Sequence, residues 1–343
     1  MILDDITEPI VLAPLAGGPS TPELVAAVCG AGAFGFLAAG YLSAEQLATE
    51  LRALRGLTDR PFGVNLFCPP AAPAPPAAYA GYVEWLRAWA RPRGLPLGEP
   101  RFSDDAYADK LDLLLGEPAA VVSFTFGCPD RATVARLHDR GSEVWVTVTT
   151  PHEAALAASA GADVLVAQGV EAGGHRGSFV DDDGDPRLAL MPLLQLIRSQ
   201  VDVPTVAAGG ICTGAGIAAA LAAGAGAAQL GTAFLLTPEA GTSAAQRHAL
   251  MGDARTVLTR AFTGRTARGI HNAFIAEHEA HAVHAYPEVH YVTQPLRAAA
   301  RQAGDPSMIN LWAGQAYRLA RAEPAADVVR RVAAESREAG LAG

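Results

Sequence analysis

One unit recurs three times in this chain and narrows the fold more than any single motif. Each copy is an Ala-rich helical stretch, a glycine suited to a left-handed helix end, and a short apolar strand. The copies run from Glu23 through Gly30 and Gly32 to Gly40, from Glu153 through Gly161 to Gly169, and from Gly216 through Gly224 to Phe234. Helices alternating with continuously apolar strands predict a parallel sheet whose outer face is covered. Extending the count gives eight candidate strands: Ile10–Ala16, Phe34–Gly40, Phe62–Phe67, Ala120–Phe126, Glu143–Thr150, Val164–Gly169, Pro204–Gly210 and Ala227–Phe234. Eight such strands with helices between most of them predict an α/β fold of the (β/α)8 barrel type.

The spacing breaks in one place. Pro69 to Pro76 is a Pro/Ala-rich loop followed by a helical stretch with Trp85 and Trp89, and it reads as an insertion after the third strand. The expected organisation is therefore a barrel over 1–68 and 101–240, an insertion over 69–100, and a helical extension over 241–343 that covers the active site. At 343 residues the chain has room for a barrel of about 250 residues and such a tail. A net charge of −9 argues against a nucleic-acid partner. No apolar run reaches the roughly 18 residues of a membrane span. Asp4, Asp5 and Glu8 stand where a signal peptide would be basic and then apolar. Cys29, Cys68, Cys128 and Cys212 form no C-x-x-C pair, so neither a disulfide framework nor a zinc site is expected. These features fit a cytoplasmic protein. The oligomeric state stays open, with a homodimer among the options.

The stretch most able to carry chemistry is Gln168-Gly169-Val170-Glu171-Ala172-Gly173-Gly174-His175-Arg176-Gly177. It follows the apolar run Val164 to Ala167, so a rigid strand aims a glycine-rich loop bearing an amide, a carboxylate, an imidazole and a guanidinium. In a barrel, ligands sit at the carboxyl ends of the strands, and phosphate commonly sits after strands seven and eight. Those ends read Ala207-Ala208-Gly209-Gly210-Ile211 and Gln229-Leu230-Gly231-Thr232-Ala233. Their backbone N–H groups suit an anion, and a helix begun by Thr213 to Gly216 would point its positive end at the same place. The first strand ends in Ala13-Pro14-Leu15-Ala16-Gly17-Gly18, small enough for a flat ring to lie against the main chain. Asn65 and Gln168 each add a carboxamide. One phosphate site, two carboxamides and exposed amides are what FMN requires.

Three other patterns carry less. Gly30-Ala31-Gly32-Ala33-Phe34-Gly35 matches G-x-G-x-x-G but ends a helix and opens a strand, the reverse of a dinucleotide loop. Asp181-Asp182-Asp183-Gly184-Asp185 lacks the glutamate of a calcium loop and reads as an acidic surface turn. His278, His281 and His284 do not form H-E-x-x-H, and no metal is expected there.

With these motifs placed, the chain resembles the flavin-dependent nitronate monooxygenases, formerly called 2-nitropropane dioxygenases, and within them class I. The resemblance rests on Ala13–Gly18, Gly63–Phe67, Val122–Pro129, Gln168–Gly177, Ala207–Ile211 and Gln229–Phe234. Ala261–Arg265, Ala267–Gly269 and Leu311–Gln315 extend it into the tail, so it spans almost the whole sequence. It implies a TIM barrel, non-covalent FMN, and O2-dependent oxidation of alkyl nitronates to carbonyl compounds and nitrite. The cofactor set it implies, joined to the strand-end reading, is Pro14, Ala16, Gly17, Asn65, Gln168, Gly173, Gly174, Ala208, Gly209, Gly210, Gln229, Gly231 and Thr232. His175 takes the place of the active-site histidine, and Thr125, Arg176 and Tyr286 are expected on the substrate side. Many members carry a histidine where this chain has Thr125, so a second imidazole near the substrate is expected to be missing. The Glu-Ala-Gly-Gly-His core also occurs in flavin enoyl-reductases and quinone-reducing relatives. The competing expectation is thus an NAD(P)H-dependent FMN reductase, and a third is a flavin-binding accessory protein. Bleaching by NADH or NADPH separates the reductase, and turnover of any nitronate removes the accessory protein.

Overall fold

The computed structural model describes residues 1–341; residues 342 and 343, the end of the expected extension, lie outside it. The strands are β1 (Ile10–Leu12), β2 (Phe34–Ala38), β3 (Gly63–Phe67), β4 (Val121–Thr125), β5 (Glu143–Val148), β6 (Val164–Gln168), β7 (Gly174–His175), β8 (Thr205–Ala208), β9 (Ala227–Leu230), β10 (Thr256–Thr259) and β11 (Ala267–Ile270). Eight of them close a parallel barrel in the order β1-β2-β3-β4-β5-β6-β8-β9, with Ile10 of β1 opposite Ala228 of β9. The fold is a (β/α)8 barrel. All eight expected strands are present, but several stop earlier than the apolar runs that announced them. β1 ends at Leu12, β8 at Ala208 and β9 at Leu230. After β1 and β8 the chain turns through glycines at positive φ, 85° at Gly17, 117° at Gly209 and 70° at Gly210, whereas β9 leaves through Gly231 at a φ of −109°.

The three recurring units fold alike. The helices Pro22–Gly30, Pro151–Ala160 and Gly214–Ala222 each start on a threonine whose side chain accepts a backbone N–H of the first turn. Each is followed by a glycine at positive φ: Gly32, Gly161 and Gly224.

Strand periodicity sorts the barrel interior into two levels. Val11, Phe34, Phe36, Val121, Trp145, Val164, Val206 and Ala227 point inward near the strand starts and form one buried cluster. Phe34, Phe36 and Trp145 pack ring to ring at its centre, with centroids 5.2–5.7 Å apart. Gly63 makes room for them, since a Cβ there would lie 2.3 Å from the Phe36 ring. One step further along the same rows the inward residues turn polar: Asn65, Ser123, Thr125, Thr147, Gln168 and Gln229. The lower level is a filled core and the upper level is the floor of a cavity.

Residues beyond the barrel do two different things. Tyr82, Val83 and Leu86 of the insertion share a second core with Ala261, Phe262, Phe274, Ile275, Val289, Val292 and Leu296. The Tyr82 hydroxyl donates to the Ala261 carbonyl at 2.7 Å. β10 and β11 form an antiparallel sheet with β7, placing Ala267 opposite His175. The helix Ala325–Leu341, by contrast, belongs to the barrel's outer layer. Its Val328, Val329 and Val332 join the core of Leu24, Val25 and Ile217.

Candidate active site

A cavity of about 360 Å³ opens above the polar level of the barrel. Its barrel side is lined by Pro14, Ala16, Gly17, Asn65, Thr125, Gln168, Gly173, Gly174, His175, Ala208, Gly209, Gly210, Gln229, Gly231 and Thr232. Two residues expected there are placed differently. The Arg176 side chain is 3% exposed and turns away from the cavity, donating to Asp185 at 2.9 Å and to the carbonyl of Gln168 at 2.6 Å. Buried beside a carboxylate and strand-end carbonyls, it clamps the loop in place. Tyr286 lies behind His175, with ring centroids 5.7 Å apart, and lines a smaller pocket next to Tyr41.

The glycine-rich loop can be followed residue by residue. Glu171 accepts the N–H of Leu190 at 3.1 Å and so caps the helix Leu190–Arg198. Gly173 lets the backbone of Ala313 and Gly314 approach, since a Cβ there would lie 2.5 Å from both. Gln168 holds the loop from below: its Nε2 donates to the His175 carbonyl at 3.2 Å and its Oε1 accepts from Gly177 N at 2.8 Å. Among the loop's charged or titratable side chains, only the His175 imidazole lines the cavity.

His175 Nε2 lies 2.9 Å from Thr263 Oγ1, and the Thr263 hydroxyl donates to the carbonyl of Arg265 at 3.2 Å. That chain gives Nε2 the proton and leaves Nδ1 as the basic nitrogen. Burial, then the charges of Arg265 and Arg297, bring the His175 pKa down to about 3. The imidazole is therefore neutral at ordinary pH. Arg265 is itself buried, with its guanidinium 4.0 Å above the Phe126 ring.

Asn65 donates through Nδ2 to Ser123 Oγ at 2.9 Å and to Thr125 Oγ1 at 3.1 Å. Its Oδ1 has no protein partner among the described residues and can accept from a ligand. The N–H groups of Gly209, Gly210, Gly231 and Thr232 likewise make no hydrogen bond within the described residues. The expected helix end does not join them. The N–H of Gly214 is held by Glu335 Oε2 at 2.9 Å, and Thr213 caps Gly216 N. A carboxylate of the chain itself occupies that positive end, so the anion cradle consists of the two glycine turns.

The opposite wall comes from the extension, and apart from Trp312 in the Leu311–Gln315 motif its lining residues were not singled out in the sequence. His290, Gln294, Arg297, Arg301, Asn310 and Trp312 line it. His290 stacks on Tyr41 with centroids 4.5 Å apart and planes 6° from parallel. Burial, reinforced by Arg297 and His175, pushes its pKa well below the ordinary value. A second imidazole is thus present, supplied by the helix Glu288–Ala303 where the sequence reading counted it missing. Spacing on that helix was a usable signal: His290, Gln294, Arg297 and Arg301 recur at three and four residues, which is one helix face.

The acidic turn and the tail histidines make contacts within the fold. Asp181 and Asp183 lie 3.9 and 3.1 Å from Arg260, and His284 also reaches Asp183. The acidic turn is thus tied to the extension. His278 is buried and accepts the Trp85 indole N–H at 3.0 Å, while His281 stacks on Trp85. The three histidines serve different contacts.

A barrel with this cavity defines a class of small-molecule enzyme, and comparison with known proteins narrows it. The nitronate monooxygenase family model matches residues 2–335. The chain belongs to the nitronate monooxygenase family. A nitronate monooxygenase of Pseudomonas aeruginosa is 43% identical, with 97% of each chain covered. The crystal structure of a nitroalkane oxidase from Streptomyces ansochromogenes superposes with a TM-score of 0.96 at 51% identity, covering 99% of both chains. FabK from Thermotoga maritima is more distant, with a TM-score of 0.77 and 26% identity over 98% of this chain and 95% of that one.

Proposed function

We propose that this chain oxidises alkyl nitronates with O2 to carbonyl compounds and nitrite, using non-covalent FMN. The observation that carries this reading is a neutral imidazole and a two-turn anion cradle lining one cavity, in a chain of the nitronate monooxygenase family. The residues suit FMN. The free N–H groups of Gly209, Gly210, Gly231 and Thr232 fit one phosphate, and Asn65 Oδ1 offers an acceptor to the ring's N–H edge. Pro14, Ala16, Gly17, Ala208, Gly173 and Gly174 leave space for a flat ring, with Gln229 alongside. When bound, FMN supplies the redox chemistry that these side chains lack.

The chain's own residues bind and orient. His175, held through Thr263, presents Nδ1 to the substrate. A nitronate has already lost its α-proton and needs hydrogen bonding and charge balance rather than a base. A neutral nitroalkane must give a proton to a group whose pKa is near 3, a weak base for the task. The reading therefore favours nitronates over their parent nitroalkanes. Phe67, Phe126 and Trp312 add aromatic surface to the substrate side, next to its polar and cationic groups. Residues 1–68 and 101–240 carry the cofactor; 69–100 and the extension shape the substrate side, apart from the helix Ala325–Leu341, which buttresses the barrel. No helix among the described residues is long and apolar enough to cross a membrane. With four free cysteines, the reading places the enzyme in the cytoplasm. The test is nitrite release from ethyl nitronate in air by the purified yellow protein, with heat-released cofactor identified by chromatography. FMN and nitrite are expected. FAD, or a flavoprotein inert toward nitronates, would overturn the reading.

A further inference from the structure

Arg297 and Arg301 sit one turn apart on the helix Glu288–Ala303, on the face that lines the cavity. Both donate to the same neutral acceptor, Asn310 Oδ1, at 3.4 and 2.7 Å. Like charges four residues apart destabilise a helix, and these two are also withdrawn from water. Burial lowers both their pKa values, that of Arg297 to about 10, with Arg301 adding to the effect. Among the described residues neither is in a salt bridge, and the nearby hydroxyls of Tyr41 and Tyr286, both pushed up by burial, carry no counter-charge at ordinary pH. A buried cation beside a half-buried one, with no counter-charge, is costly unless an anion completes the pair.

The donors are arranged unequally. Arg297 is fixed by Thr293 Oγ1 at 3.1 Å and by the His290 carbonyl at 2.8 Å. Arg301 makes one hydrogen bond through Nη2, leaving Nε and Nη1 without protein partners among the described residues. The second N–H of Nη2 stands beside a free donor at Nε or Nη1, and such a two-donor edge matches a planar group with two equivalent oxygens. Arg297 and Arg301 line the same cavity as His175 and His290, so the pair belongs to the substrate chamber. The glycine turns already supply donors for a phosphate, which leaves the arginines for a different anion.

We infer that Arg297 and Arg301, bridged by Asn310, form a specificity-determining subsite for the planar O–N–O⁻ end of the nitronate, and that the nitrite released from it binds the same subsite. The inference rests on the nitronate reading above. It makes Arg301 the residue that separates anionic from neutral substrates, while Arg297 and Asn310 hold the geometry.

The test uses the flavin-loaded protein and its Arg301→Gln and Arg301→Lys variants. Flavin content is measured first. The dissociation constant of sodium nitrite follows from perturbation of the flavin spectrum, and steady-state constants are measured for ethyl nitronate and nitroethane. Arg301→Gln is expected to keep its flavin, to weaken nitrite binding by about tenfold and to raise KM for ethyl nitronate by a similar factor. Its kcat for ethyl nitronate and its KM for nitroethane should change by less than about twofold, and Arg301→Lys should recover part of the nitrite affinity. Unchanged nitrite binding would overturn the subsite, as would equal losses on the neutral and anionic substrates. Loss of flavin would overturn it too, because the arginines would then hold the cofactor phosphate. If the parent protein turns over no nitronate while nitrite binding still depends on Arg301, the anion subsite stands and the function reading fails.

Discussion

The two walls of the cavity are built by different rules. The barrel wall is made of strand ends and glycine turns, and most of its ligand-facing groups are backbone N–H or carboxamide. The extension wall is made of side chains from one helix and from the segment Asn310–Trp312, and it is cationic and aromatic. The first wall suits a cofactor that must lie against main chain. The second suits a substrate whose charge and size vary between enzymes on one scaffold. His175 stands at the seam: its loop belongs to the barrel, while β11 pairs with it and Thr263 fixes its ring from the extension.

If that division is right, the walls should fail differently. Gly210→Val should have the largest effect. Its φ of 70° excludes a β-branched residue, and a Cβ would lie 3.0 Å from that of Glu171. The variant is expected to purify without flavin while its far-UV circular dichroism still reports a folded barrel. A Gly210→Val protein that binds FMN normally would remove the cradle from this loop.

At the seam, His175→Asn should keep its yellow colour and a melting temperature near that of the parent, since the imidazole makes one side-chain hydrogen bond, worth about 1 kcal/mol. Turnover of nitroethane should fall by about a hundredfold, the scale for a positioned acid–base group, and turnover of ethyl nitronate by less. Steady-state kinetics with flavin content measured alongside checks both. Equal rates in variant and parent would move the chemistry elsewhere.

The smallest effect lies outside the cavity, in the core shared by insertion and extension. His278 accepts the Trp85 N–H, which requires a bare Nδ1, and burial lowers its pKa to about 4. The unfolded chain takes up a proton near pH 6.5, which the folded one refuses until about pH 4. This histidine's contribution is therefore intact above pH 6.5 and is lost as the pH falls toward 4. Melting curves of His278→Leu should show a shallower decline over that interval than those of the parent. Parallel declines would assign the acid sensitivity to other groups.

The barrel wall was legible for a physical reason. Continuous apolar runs mark parallel strands, and a glycine directly after such a run marks a left-handed exit, so Gly17, Gly209 and Gly210 could be placed from the sequence. The apolar runs overshot the strands because Ala13 to Ala16, and Ala233 and Phe234 beyond β9, are still apolar after the chain has left the sheet. Arg176 was misplaced because a charged residue next to a catalytic candidate looks functional. Its buried partner Asp185 belongs to a stretch that reads as a surface turn. Thr213 to Gly216 looks like an anion site in the sequence, but its partner Glu335 lies more than a hundred residues away, and no local pattern connects the two. The extension wall was least legible. Its helix pattern says which residues share a face, but only the tertiary fold says that this face meets Tyr41 and His175.

The most direct test of the central claim is anaerobic mixing of the flavin-loaded protein with ethyl nitronate in one experiment and with NADH or NADPH in another, following the flavin spectrum. Ethyl nitronate is expected to change the spectrum within the time of one turnover, admitting O2 to restore it with release of nitrite, and the nicotinamides to leave it oxidised. Rapid bleaching by NADH or NADPH with no response to the nitronate would contradict that claim and make this cavity that of a reductase.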